Sequence, residues 1–306
     1  MKKFFWLVCS LVASLLVSIA SAQQVQVMYA ATGAGGVAGT LYTFAVNAGG
    51  TPLNQTTTTP VAITNASGGG AIGITGLAVS PITGVLYGVT TQPTSGTGVQ
   101  NTVSSSLVTI NPLTGVATVI GAVGHTVADI SFNSTGTLYA WQGGGSPTTV
   151  SRSLYTLNLM TGGVATTVGS TSLPFTAGGG LAFSPSGTLY VTPMGSTGGE
   201  LDTLTLSPFS RNKAGDISGA DFLGFGAMAF NSQGVLFGAD NNGTQSSTTV
   251  DVELDIIALN GAVSFVFDLP TSTDAIAFTT IPEPSTVALL VFGAGVSVAL
   301  ALRRRS

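Results

Sequence analysis

Three acidic side chains alternate along one short apolar stretch, and they form the most suggestive set of potential ligands in the chain. Asp251, Glu253 and Asp255 are two residues apart, so on a β-strand they face one side. Calcium takes several carboxylate and carbonyl oxygens, so the pattern suits a cation site; a solvated strand face is the alternative. Asp240 and Asn242 resemble the start of a calcium loop, but the spaced later ligands are missing and a turn is the alternative. We predict no metal site, with these five residues as the candidates should one exist.

Residue types that support catalysis are scarce. His125 is the only histidine and Cys9 the only cysteine, whereas serine and cysteine nucleophiles and most zinc sites need histidine with partners. Glu200 and Asp202 could be the paired carboxylates of a glycosidase, but residues two apart on a strand share one face and give no acid/base asymmetry. We expect a non-enzymatic protein with no cofactor and with His125 in a loop or at a blade junction. A glycan-active or metal-dependent hydrolase on the same scaffold is the alternative.

The composition indicates a β-protein with few charges. Charged residues make up 7% of the 306 residues, and there are 42 glycines. Short apolar runs between Gly, Ser, Thr and Asn favour short strands and tight turns. Residues 23–280 hold three basic and eleven acidic side chains, a balance of 3 − 11 = −8, so the body has no basic footprint for nucleic acid.

One hairpin pattern recurs through the body. An apolar run, a turn and a second run ending in an aromatic residue appear at residues 76–89, 129–141, 180–192 and 227–240, and the anchoring leucines Leu86, Leu138, Leu189 and Leu236 are 52, 51 and 47 residues apart. A weaker hairpin follows each copy. Four antiparallel strands repeated about every 50 residues are typical of a β-propeller; a sandwich or a solenoid is the alternative. The tyrosines and phenylalanine at the repeated aromatic position should pack between blades, and Trp141 should be more exposed.

The two ends of the body predict how the ring closes. The body begins in mid-repeat, with a strand that matches the second strand of the unit, and the missing first strand appears at residues 274–280. Phe278 continues the series Phe132, Phe183 and Phe230 at the same position of the repeat. We therefore predict five four-stranded blades, closed by pairing of the N-terminal and C-terminal strands.

The ends of the chain carry targeting features. Residues 1–22 have two lysines, an apolar stretch and Ala20-Ser21-Ala22, a pattern that predicts a signal peptide for the Sec machinery, cleaved by signal peptidase after Ala22; a membrane anchor is the alternative. Residues 286–302 carry no charge and three arginines follow, which predicts a C-terminal transmembrane helix with the body outside the inner membrane.

Residues 281–306 resemble the PEP-CTERM sorting signal of Gram-negative bacteria. The matching residues are Pro282, Glu283, Pro284, Ser285 and Thr286, an apolar span, and the cluster Arg303, Arg304 and Arg305. The resemblance implies that this segment is recognised by an exosortase, a membrane protease, and cleaved at or near the PEP motif. A plain C-terminal anchor is the alternative.

These features together predict an exported surface or matrix protein. Its body should bind polysaccharide or another protein at the loop face of the ring. A calcium-stabilised adhesion module is a further alternative to the hydrolase, and it would use the acidic residues named first.

Overall fold

The chain forms twenty-two β-strands in the part that the structure describes. The computed structural model describes residues 26–33, 38–47, 52–54, 59–68, 70–90, 105–143, 151–172, 179–192, 199–218, 225–242 and 251–279. In chain order the strands are β1 (Gln26–Thr32), β2 (Thr40–Val46), β3 (Pro52–Asn54), β4 (Val61–Ala62), β5 (Thr64–Asn65), β6 (Ile74–Val79), β7 (Leu86–Thr90), β8 (Ser106–Ile110), β9 (Val116–Ala122), β10 (Val127–Phe132), β11 (Leu138–Gln142), β12 (Ser151–Leu157), β13 (Val164–Ser172), β14 (Leu181–Phe183), β15 (Leu189–Val191), β16 (Glu200–Leu206), β17 (Phe209–Asp216), β18 (Phe225–Phe230), β19 (Leu236–Asn242), β20 (Asp251–Ile257), β21 (Val263–Leu269) and β22 (Thr273–Thr279).

These strands form five sheets, which are the blades of a propeller. Blade I has the order β22-β1-β2-β3, with β4 also paired to β2; blade II is β6-β7-β8-β9, with β5 added beside β9. Blades III, IV and V are β10 to β13, β14 to β17 and β18 to β21. Apart from the parallel pair β5–β9, neighbouring strands are antiparallel. The predicted all-β fold with five four-stranded repeats is confirmed.

The ring closes as the sequence indicates. Strand β22 pairs with β1, so that Phe278 lies opposite Met28 and Ile276 opposite Ala30. The first strand of blade I therefore comes from the far end of the body. Closure pairs the two strand edges at the seam, which would otherwise be free to pair with another chain.

Five hydrophobic clusters hold the ring, one at each junction between blades. Leu138 and Val89 belong to the cluster between blades II and III, and Trp141 and Val191 to the one between blades III and IV. The junction of blades V and I is as apolar as the others, with Phe237 and Ile276 fully buried. Because every blade is buried on both faces, the core is continuous around the ring.

The repeated aromatic residues lie between blades, as predicted. Each one meets the phenylalanine at or next to the end of the innermost strand of the next blade, with ring centroids 4.9 to 5.5 Å apart. The pairs are Tyr87–Phe132, Tyr139–Phe183, Tyr190–Phe230 and Phe237–Phe278. The last pair joins blade V to the closing strand β22 of blade I, so the same contact is made at the junction where the chain ends meet.

A glycine at one position of the repeat, in blades II, III and IV, lets the outer edge of each blade approach the next blade closely. A Cβ on Gly121 of blade II would overlap the backbone of the turn at Thr161 in blade III, and a Cβ on Gly215 of blade IV would overlap the turn at Asn260 in blade V. At the junction of blades III and IV the matching Gly169 instead receives the ring of Phe209. This junction is therefore built differently from its neighbours.

Candidate functional site

The carboxylate of Asp129 lies at the axis of the ring. This side chain is fully buried. Its Oδ1 accepts the backbone N–H of Ile130 at 2.8 Å, and its Oδ2 accepts those of Leu181 at 2.8 Å and Met228 at 3.1 Å. One side chain from blade III thus binds the innermost strands of blades IV and V. Burial raises the pKa of Asp129, and the three N–H donors oppose that rise.

A second carboxylate, Asp274, lies close enough to act on the first. In the pairing of β22 with β1 it is the extra residue of a β-bulge, because Ala275 and Thr273 pair with consecutive residues Ala31 and Thr32. Bulges redirect a side chain from its regular position. Burial raises the pKa of Asp274, and its charge adds to the rise in the pKa of Asp129.

At one end of the axis the ring opens into a bowl of about 360 Å³. Its wall contains residues at or next to the ends of the innermost strands, which are Val79, Phe132, Phe183, Phe230 and Phe278. Polar side chains on the rim are engaged in their own turns: Asn133 Oδ1 accepts the Thr137 N–H at 2.8 Å, and Asn231 Oδ1 accepts the Val235 N–H at 2.9 Å. The bowl therefore offers an apolar floor inside a rigid polar rim.

Three of the acidic residues expected to ligate a cation, Asp240, Glu253 and Asp255, lie on the face of blade V that meets blade IV. Asp240 pairs across strands with Glu253, and Asp255 with Gly238. Asp255 is only 3% exposed, so the alternative of a solvated face is wrong at this residue. Burial, followed by the charge of Glu253, raises the pKa of Asp255 to about 6.

The role of the five candidate metal ligands stays a prediction. Asn242 and Asp251 are cross-strand partners, but their side chains lie outside the described part. Among the described residues no group of three or more His, Cys, Asp or Glu side chains is arranged to hold a metal ion. Asp240 is part of strand β19, so the turn expected there is wrong.

Glu200 and Asp202, expected as a possible carboxylate pair, are both bound to one arginine. Arg211 Nε donates to Asp202 Oδ2 at 2.5 Å, and Arg211 Nη2 donates to Glu200 Oε2. Lys213 also pairs with Glu200, at 3.2 Å, and with Asp216. Glu200, Arg211 and Lys213 of this network line a cleft of about 560 Å³ beside strand β13 of blade III.

The position of His125 agrees with the prediction from the sequence, and that of Trp141 does not. His125 is exposed in a bend and stacks on Tyr155, with centroids 4.6 Å apart and planes 15° apart, so its loop position is confirmed. Trp141 is 0% exposed and packs with Leu154 and Leu181, so its predicted exposure is wrong. Its indole Nε1 is buried without a hydrogen-bond partner among the described residues.

The predicted targeting residues lie outside the described part of the chain. These are Ala20 and Ala22 of the expected signal-peptidase site, and Pro282, Glu283, Pro284, Ser285, Thr286, Arg303, Arg304 and Arg305 of the expected sorting signal. No helix within the described residues is long and apolar enough to cross a membrane.

Comparison with protein families identifies the C-terminal segment. Residues 280–305 match the PEP-CTERM protein-sorting motif. The chain therefore carries an exosortase-sorting signal, which marks it for export and membrane-anchored sorting in Gram-negative bacteria. A search of curated proteins finds no significant match to the sequence.

Comparison with solved structures supports the propeller fold. A chain of the nidogen/laminin complex is 12% identical, with a TM-score of 0.51 over 84% of this chain and 99% of that one. A gluconolactonase from Xanthomonas campestris is 14% identical, with a TM-score of 0.45 over 83% of this chain and 79% of the other. TolB from Acinetobacter baumannii is 12% identical, with a TM-score of 0.46 over 83% and 66%. At these identities the nidogen/laminin likeness shows the fold alone, and the two lower scores add nothing about activity.

Proposed function

We propose that this chain, which ends in a PEP-CTERM sorting motif, is a non-enzymatic surface or matrix protein whose propeller binds polysaccharide or protein. The observation that carries the proposal is the order of its parts. Strand β22 ends at Thr279 and completes blade I, and the matched sorting motif begins at residue 280. Cleavage at or near the PEP motif would release a ring whose closing strand is intact.

The described side chains support binding more than catalysis. Asp129 is occupied by three backbone N–H groups, and Glu200 and Asp202 are held by Arg211. The bowl has a fixed shape, since its rim is held by hydrogen bonds within the turns. A rigid concave surface at the ring's loop face suits recognition of an extended partner.

Sorting is tested by removing residues 281–306 and fractionating the cells. With the tail, the protein should pass from the membrane to the cell surface or medium in an exosortase-dependent manner. Without the tail, processing and surface delivery should be lost. Unchanged fractionation would contradict the role of the tail.

A glycan array probed with the exported protein, with and without calcium, tests polysaccharide binding and the calcium-stabilised alternative together.

A hydrolase is the second candidate because of one observation: Asp274 is near enough to Asp129 for its charge to add to the rise in the pKa of Asp129. Two coupled carboxylates are a common catalytic arrangement. The N–H bonds to both oxygens of Asp129 weigh against it, because they occupy the groups that would act. Release of reducing sugar from a glycan panel by the wild-type protein, lost in Asp274→Asn, would favour the hydrolase.

A further inference from the structure

The junction of blades III and IV departs from the repeat in both shape and charge. At the junctions of blades II with III and IV with V a backbone turn packs on the outer-strand glycine, but here the Phe209 ring takes its place on Gly169. The body has only three basic residues, and two of them, Arg211 and Lys213, lie on the strand that begins at Phe209. In a periodic fold the period explains repeated geometry, so a local departure from it calls for a separate explanation.

This departure opens a cleft. The cleft has a volume of about 560 Å³, within the usual range for ligand sites. Its lining includes an aromatic ring, two hydroxyl groups and three charged side chains: Phe209, Ser170, Thr171, Glu200, Arg211 and Lys213. Ser170 is exposed and Phe209 half-buried, so a ligand reaches both a polar and an apolar surface.

Polar atoms without partners lie at this same junction. Asp202, fully buried beneath Arg211, uses Oδ2 for that guanidinium, and its Oδ1 has no hydrogen-bond partner among the described residues. Thr171 Oγ1 is also buried and has no hydrogen-bond partner among the described residues. A buried acceptor without a donor costs about 1–3 kcal/mol. Of these two residues only Thr171 lines the cleft, so a hydroxyl-bearing ligand or a water there would lower the cost at Thr171 and not at Asp202.

The charge of the cleft selects a neutral ligand. Arg211 and Lys213 form four ion pairs with Glu200, Asp202 and Asp216, so two cations face three carboxylates. An anionic polymer would have to compete with these carboxylates for the two cations. A carboxylate accepts hydrogen bonds from the hydroxyl groups of a sugar and a planar guanidinium donates hydrogen bonds to them, while an aromatic ring packs on the apolar face of the sugar.

We propose that the cleft between blades III and IV binds sugar units of a neutral polysaccharide. This inference rests on the proposed binding function. It narrows that function to one ligand class, neutral polysaccharides, and it places the binding site at the side of the ring rather than in the bowl on its axis.

The test is retention of the full-length chain, in detergent, on insoluble polysaccharides. Cellulose, curdlan and mannan are the neutral probes, and carboxymethyl-cellulose resin is the anionic counterpart of the first. Ser170→Trp fills the cleft from an exposed position. Ser264→Trp is the matched control, since Ser264 is also an exposed serine on the outermost strand of its blade and does not line the cleft.

We expect the wild-type protein to bind at least one neutral probe in preference to the anionic resin. Ser170→Trp should weaken that binding at least tenfold and Ser264→Trp less than twofold. Lys213→Gln replaces a side chain that is 45% exposed; it should weaken binding at least threefold, and it decides the matter if Ser170→Trp fails to fold. Neutral binding that both cleft variants retain would overturn the cleft but not the proposed function. Preference for the anionic resin would overturn the ligand class, and no polysaccharide binding at all would overturn both this site and the polysaccharide role.

Discussion

Asp129 is the residue on which the centre of the ring most depends. It is the acceptor for the N–H groups of Leu181 and Met228, which belong to two other blades. The innermost strands are also packed closely around it, since a Cβ on Gly76 would lie 2.8 Å from the Asp129 Cα. Packing this close leaves little room for another side chain to replace the carboxylate as the acceptor.

Asp129→Ala should therefore destabilise the body strongly. Two buried N–H groups in other blades would lose their acceptor, at about 1–3 kcal/mol each. We expect a loss of about 2–5 kcal/mol in the free energy of unfolding, measured by urea denaturation. Asp129→Asn, which keeps one acceptor oxygen, should fall between this variant and wild type. If Asp129→Ala lost less than about 0.5 kcal/mol, as an ordinary surface substitution does, the carboxylate would not be a bridge between blades.

Asp255 makes stability depend on pH. Its ordinary pKa of 3.8 rises to about 6 in the fold, chiefly because it is buried. A carboxyl group whose pKa is raised in the fold favours the protonated form. Its contribution to the free energy of unfolding is therefore fully present below about pH 4. That contribution is lost as the pH rises to about 6. At about 1.4 kcal/mol per pH unit the loss is about 3 kcal/mol.

Asp255→Asn should remove that loss, because the amide resembles the protonated acid. We expect the variant to be more stable than wild type by about 1–3 kcal/mol at about pH 7.5 and equal to it at about pH 4, by chemical denaturation at both pH values. Asp268→Asn, at an exposed carboxylate on the adjacent strand, should change little at either pH. A gain of the same size at the lower pH would show that the effect is not one of ionisation.

Some of the central residues could have been found in the sequence by asking what else occupies their position in the repeat. The counterparts of Asp129 are Gly76, Gly180, Ala227 and Ala275, so a carboxylate among small residues stands out. The counterparts of Trp141 are Val89, Thr192 and Ala239, all buried, which already argues against exposure. The ion pairs of Arg211 could not be predicted, because they depend on the register of β16 against β17 and on a bulge at Leu201 and Asp202.

At the scale of the element, the period of the hairpin was enough to predict the fold. Apolar residues at fixed spacing specify strands that are buried on both faces, and the unpaired strand at residues 274–280 had only one blade to complete. The outer edges were less predictable, since whether a turn or a side chain fills the glycine position depends on the neighbouring blade. Gly169 with Phe209 is the example, and it creates the cleft.

Phe278→Asp should weaken the closing strand. The ring of Phe278 packs on Phe237 across the seam, with centroids 4.9 Å apart, and a charge there would lose that contact and be desolvated. We expect a loss of about 3 kcal/mol or more in the free energy of unfolding. Thr59→Asp, at an exposed residue of blade I's periphery, serves as the control and should cost less than about 0.5 kcal/mol, as surface substitutions usually do. Equal losses in the two variants would mean that the seam does not hold the ring.

At the scale of the whole molecule, the ring and its sorting signal are separable in sequence. The five junction clusters involve residues from Met28 to Ala277, and the matched motif starts at residue 280. The described body ends with β22, and we expect it to stay folded without the residues after that strand. A sorting enzyme that cut the tail would then leave every blade paired.

Two truncations that differ by a single strand should consequently behave very differently. A chain ending at residue 280 keeps β22, so its Tm should lie within about 2 °C of that of the full-length protein, since less than 1 kcal/mol of stability is at stake, measured by circular dichroism in the same detergent. A chain ending at residue 272 lacks β22 and exposes the edge of β1 together with the apolar seam, including Met28 and Phe237. We expect it to lose cooperative unfolding or to aggregate, because an open propeller presents unpaired strand edges. Cooperative unfolding of the shorter chain near the original Tm would show that pairing of the chain ends is not what closes the ring.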